Sequence, residues 1–129
     1  MKRNGLTKKR ILGISARTDI LRILADKIKD SFSKCRFDGV TSAEEASRSM
    51  MLSSYHLIIV DETNFKKIAN SGSSSIRNFP LVILTENGKL PVDQNNFFAP
   101  NVYGYLSANR PEDIVPILSL LLSIEFTPR

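Results

Sequence analysis

The sequence predicts an α/β domain built on a doubly wound, five-stranded parallel sheet with helices on both faces. Two observations carry this prediction. Five short apolar runs alternate with segments of helical periodicity within 129 residues, a length that suits one core. The third run, Leu57-Ile58-Ile59-Val60, is apolar at every position, as expected of a central parallel strand covered on both faces. It ends in Asp61, which puts a carboxylate at the C-terminal edge of the sheet. Open α/β sheets bind their ligands at that edge.

The elements follow in order. Arg10 to Ser15 is a short apolar run that ends in small residues and reads as the first strand. Thr18 or Asp19 is suited to cap the helix after it. There Ile20, Leu21, Ile23, Leu24, Ile28 and Phe32 recur at helical spacing, opposite Arg22, Asp26, Lys29 and Asp30. Lys34 to Val40 reads as the second strand. Ser42 and Glu45 have capping-box spacing at the head of a helix that runs to about Leu52, with Ala46 and Met50 facing inward and Met51 also expected in the core. Leu57 to Val60 is the third strand, Phe79 to Leu84 the fourth and Val102 to Leu106 the fifth. Arg110-Pro111-Glu112-Asp113 opens the last helix, with proline in its first turn and acids at its positive end. Pro116 inside that helix predicts a kink or a late start.

Two connections are weak. Asn70 to Ser75 is rich in serine and glycine, so a helix between the third and fourth strands is expected to be short. Asn87 to Pro100 holds two prolines and Asn95-Asn96, so its helix is expected to be poor. The domain boundaries are a basic leader over 1–9 and a core over about 10–126 of a single domain spanning 1–129.

Composition narrows the classes. Of 18 basic residues, five lie in the first ten positions, and the others balance the 13 acids. The net charge of +5 is therefore a leader on a neutral body. No aromatic residues interleave with that leader, so base stacking is unsupported and nucleic acid is the last of the partners considered. No segment has the roughly 20 apolar residues that a membrane span needs, so no membrane partner is expected. Cys35 is the only cysteine, which excludes an intrachain disulfide and suits a reducing cytoplasm. His56, the only histidine, has no companion ligand and reads as a strand-end residue. Nucleophile-elbow, dinucleotide and Walker-type phosphate motifs are absent.

The order of these segments resembles the receiver domain of bacterial two-component response regulators. The residues that carry the resemblance are Ala43-Glu44-Glu45-Ala46, Tyr55 to Asp61, Pro80 to Thr85, and Gly104-Tyr105-Leu106. The resemblance implies a flavodoxin-like sheet of strand order 2-1-3-4-5. It also implies site positions: Asp61 at the phosphoacceptor, Thr85 at the hydroxyl that contacts the phosphoryl group, and Tyr105 at the switching aromatic. Departures from the family pattern are as informative. Ser15 and Ala16 stand where the family has the acid pair that holds magnesium. Ala108 or Asn109 stands where it has a lysine, and Glu86 where it has a small residue. Magnesium needs several hard anionic oxygens to offset its dehydration.

The functional expectation is an atypical receiver that acts by protein–protein contact, without catalysis, without a cofactor and with magnesium binding weak or absent. A working phosphoacceptor at Asp61 is the alternative, and a small-ligand or nucleotide-binding flavodoxin-like domain is the second. The expected contact surface is the fifth strand and last helix, with Tyr105, Ile114, Leu118, Leu121 and Leu122, because apolar residues nearly surround that helix. An output domain, another protein or a second copy of the chain would cover it.

Overall fold

Strands β1 (Lys9–Ile14), β2 (Cys35–Val40), β3 (Leu57–Asp61), β4 (Leu81–Thr85) and β5 (Val102–Ser107) form one sheet in the order β2-β1-β3-β4-β5. Every pairing is parallel. The structure is a computed structural model and describes residues 9–69, 76, 79–86 and 102–124. The helices are α1 (Thr18–Ser31), α2 (Ala43–Leu52), α3 (Glu62–Ala69) and α4 (Ile114–Ile124).

The alternation of side chains along each strand sorts the core into two layers. On one face Ile11, Leu57, Ile59, Val82 and Leu84 meet Ile20, Leu24 and Ile28 of α1 and Ile114, Leu118 and Leu121 of α4. On the other, Leu12, Ile14, Ile58, Val60, Leu81 and Ile83 meet Ala46 of α2 and Phe65 and Ile68 of α3. The chain leaves β1 towards β2 and then crosses back over β1 to β3. That reversal puts the switch point of the sheet between β1 and β3, beside Asp61. The edge strand β2 is half-buried to exposed along its length, which is why it tolerates Arg36 and Asp38.

Gly13 is required by a close approach. A Cβ placed there would overlap the tip of the Phe37 ring and stand 3.2 Å from Leu21 Cδ2. The bare backbone lets the Phe37 ring lie across β1.

Several local expectations are corrected. The first helix is capped by neither Thr18 nor Asp19. Arg17 is its cap residue without a side-chain hydrogen bond, and Asp19 in the first turn pairs with Arg17 instead. Ser42 Oγ does accept the Glu45 N–H at 3.2 Å, but the Glu45 carboxylate reaches past it to the Thr41 N–H at 3.0 Å. Met51 and Leu52 are not core. They are 85% and 77% exposed, because α2 ends as they turn away from the sheet. Ile114, Leu118 and Leu121 are buried at 0%, 0% and 6%, so they hold the domain together and are not open to a partner. The side chain of Leu122 and the segment 87–100 lie outside the described residues. Pro116 is the third residue of α4, after a 3-10 turn at Pro111–Asp113, so the late start is observed. In the first turn its missing N–H breaks no helical bond.

His56 extends the β1–β3 ladder. Its N–H donates to the Arg10 carbonyl at 2.8 Å, and its Nδ1 accepts the Arg10 N–H at 3.0 Å. Burial, and then the charges of Lys9 and Arg10, lower its pKa. Protonation would also remove the Nδ1 lone pair that the bond needs.

Two outcomes are expected. Gly13→Ala lowers stability by about 1–3 kcal/mol through overpacking, and the loss shrinks in a Phe37→Leu background; chemical denaturation of the four proteins measures this. A depressed folded-state pKa means that His56 stabilises the fold above its unfolded value and that this support is lost as pH falls through the folded one. The stability gap between wild type and His56→Asn therefore narrows as pH falls below the ordinary histidine range. A gap independent of pH would refute the assignment.

Candidate functional site

A cleft of about 180 Å³ opens at the C-terminal edge of the sheet, over the switch point. Its floor is formed by strand ends: Ser15 after β1, Asp61 ending β3, and Leu84 and Thr85 ending β4. Its rim carries Arg17 and Ile20 from the start of α1, Glu62 and Thr63 from the start of α3, and Glu86 and Ala108 from the loops after β4 and β5.

Asp61 is tied to the helix it introduces. Its Oδ1 accepts the Asn64 N–H at 2.8 Å, and its Oδ2 accepts the Asn64 side-chain amide at 3.3 Å. This is the bond of an N-cap residue to the third residue of its helix, and it satisfies one of the orphan donors of α3. Asn64 is 5% exposed, so its amide depends on that carboxylate for a partner.

Ser15 is 2% exposed. Its N–H donates to the Val40 carbonyl at 3.1 Å, and its Oγ accepts the Arg17 N–H at 3.1 Å. Arg17 thereby enters the rim of the cleft, where its guanidinium pairs with Asp19 at 2.8 Å. The hydrogen bond from Arg17 holds the Asp19 carboxyl below its ordinary range.

Across the cleft, two loops are fastened together. The Ala108 N–H donates to the Thr85 carbonyl at 2.7 Å. The Glu86 carbonyl accepts both Asn109 Nδ2–H at 2.9 Å and Ser107 Oγ–H at 3.3 Å. Thr85 itself is 4% exposed, and its Oγ1 has no hydrogen-bond partner among the described residues.

The structure thus brings Ser15, Asp61, Thr85 and Ala108 to one cleft, as the sequence pattern expects. It leaves Ala16 exposed beside the cleft and Tyr105 half-buried against the α2–α3 layer, outside the lining. Glu62 and Glu86 both reach the rim. Among the described residues, however, no group of three or more His, Cys, Asp or Glu side chains gathers where it could hold a metal ion. Arg17, Asn64 and Ser107 were not foreseen, and Asn109, considered only for the lysine position, bonds the Glu86 carbonyl. Asn64 had a signal, since an Asp three residues before an Asn at a helix start is N-cap spacing. Arg17 acts through short-range bonds to Ser15 and Asp19 that no motif marks, and Ser107 and Asn109 act through the Glu86 backbone carbonyl more than twenty residues away.

Among the described residues no helix is long and apolar enough to cross a membrane. No family model matches the sequence, and no curated protein matches it. Solved structures do resemble it. A two-component response regulator from Clostridium difficile superposes with a TM-score of 0.68 at 20% identity, covering 93% of this chain and 99% of that one. The chemotaxis response regulator CheY4 of Vibrio cholerae gives 0.67 at 14% identity, over 90% of this chain and 99% of its own. The phosphorylated cyanobacterial phytochrome response regulator RcpA gives 0.67 at 16% identity, over 95% and 100%. The element order, the 2-1-3-4-5 sheet and these superpositions together give the chain the fold of response-regulator receiver domains.

Proposed function

We propose that this chain is a receiver-fold signalling module that acts through protein contact and does not run the magnesium-dependent aspartyl-phosphate cycle. The observation that carries the reading is the engagement of both Asp61 oxygens by Asn64. A carboxylate held as a helix cap has a structural reason to be present at this position and is a poorer nucleophile for a phosphodonor.

The surroundings support the same reading. Phosphoryl transfer depends on cations placed around the transferring group. Ser15 supplies a hydroxyl already bonded to Arg17 in place of an anionic metal ligand. Ala108 brings no charge, and Asn109 is committed to the Glu86 carbonyl. Glu86 adds negative charge at the rim. The residues present do not fit a magnesium ion.

A contact surface is available without the buried α4 residues. Tyr103 on β5 is 51% exposed and Leu120 on α4 is 63% exposed, and Tyr105 lies half-buried on the same strand. Exposed apolar side chains on neighbouring elements suit a protein partner, an output domain or a second copy. The single cysteine fits a reducing cytoplasm.

Two measurements test this. If Asp61 serves as a cap, Asp61→Ala costs about 1 kcal/mol while Asp61→Asn costs only a few tenths, because Asn caps as well as Asp. Equal losses in the two variants would remove the structural explanation. In amide NMR, magnesium followed by beryllofluoride leaves Ser15, Asp61 and Thr85 unmoved. Saturable shifts at these residues that disappear in Asp61→Asn would show a working phosphoacceptor and end the proposal.

A further inference from the structure

Strand β2 pairs with β1 over its whole length, and among the described residues no strand pairs with its other side. The Val40 carbonyl accepts the Ser15 N–H at 3.1 Å, so Val40 turns its backbone groups towards β1. Backbone direction alternates along a strand. Arg36 and Asp38 therefore face β1 as well, and Phe37 and Gly39 turn their N–H and C=O groups outward. The Cys35 N–H is donated to the Phe32 carbonyl at 2.9 Å, which leaves the Cys35 carbonyl at the open edge.

An open edge is a template for another strand, and sheets commonly block it with lysine, proline or a bulge. The run Cys35-Arg36-Phe37-Asp38-Gly39-Val40 has none of these. Its pattern is instead complementary to itself. Consider two antiparallel copies related by a two-fold axis at Phe37. The two Phe37 residues exchange N–H···O bonds, and the Gly39 N–H of each copy meets the Cys35 carbonyl of the other. The Cys35 N–H, taken by Phe32, is the one edge donor left out.

The side chains favour the same register. Arg36 falls opposite Asp38 of the second copy at both ends of the pairing. Within its own chain Arg36 reaches Asp38 only at 3.7 Å and is 68% exposed, so its guanidinium can turn across the axis. On the other face Phe37, half-buried against the α1 layer, meets its own copy. Opposite charges and paired aromatics are stabilising cross-strand pairs. An axis at Arg36 or Asp38 would set like charges opposite each other, and one at Cys35 would set Arg36 against Lys34.

We propose that β2 docks edge to edge with β2 of a second copy of this chain, joining the two sheets into one. This surface lies at the far edge of the sheet from β5, so the dimer leaves the β5 and α4 contact surface open. It rests on no reading of Asp61.

The test is sedimentation of the intact chain across a concentration series, with amide hydrogen exchange at both ends of the series. A dimer is expected, and the Phe37 and Gly39 amides should gain protection as it forms. Arg36→Asp sets acids opposite Asp38 at both pairs and should weaken the dimer about tenfold. Arg36→Lys keeps the charge and should dimerise nearly as wild type. Arg36 is exposed, so circular dichroism should show both variants folded. Monomer alone up to about 1 mM would overturn the proposal. Unchanged dimer affinity in Arg36→Asp would do the same. A dimer that leaves the Phe37 and Gly39 amides unprotected would place the contact on another surface and also overturn it.

Discussion

Three adjacent strands, β1, β3 and β4, present apolar side chains to both faces of the sheet, and Ile11, Leu12, Leu57 to Val60 and Leu81 to Ile83 are all fully buried. Neither face can be left to water, so the chain must place helices on both sides. With connections of one hand, only a reversal of winding direction achieves that. The reversal beside β3 creates the cleft as a by-product of covering the sheet. Packing at Gly13, where Phe37 takes the volume of a missing side chain, shows how little slack the inner strands leave.

What occupies the cleft's rim is then a matter of loop chemistry. Asp61, Ser15 and Thr85 arrive there because their strands end there. Their present partners differ in kind. Asp61 serves α3, Ser15 serves the turn into α1, and the Thr85 hydroxyl has none among the described residues. The fold alone therefore accounts for where these residues are, and their hydrogen bonds say what they do. That distinction is the basis on which the proposed function separates the receiver fold from receiver chemistry.

Much of the architecture was legible in the sequence. Continuous apolar runs marked the inner strands to within a residue or two, and helical periodicity marked α1. The edge strand β2 was legible from its position and from Gly39 more than from its own mixed pattern. Failures came where a residue type has two local uses. Asp19 has the chemistry of a cap, but the neighbouring Arg17 guanidinium captured it. Ile114, Leu118 and Leu121 looked like an exposed stripe, because sequence cannot show that α1 packs against α4 and shares its apolar face. Within the site, the strand-end positions were readable. The Ser107–Asn109–Glu86 contacts were not, since they join residues more than twenty apart through a backbone carbonyl.

The Asp61–Asn64 bond also changes how divergence at this position should be read. An aspartate at the end of the third strand is usually taken as the mark of a chain still under selection for phosphorylation. Here the start of α3 supplies a second, structural use for it. Drift free of phosphoryl chemistry would admit asparagine, serine or threonine at position 61 and resist alanine or leucine, since only the former can cap a helix. Substitution among cap-forming residues would then trace the loss of the signal, whereas persistence of the acid would not date it.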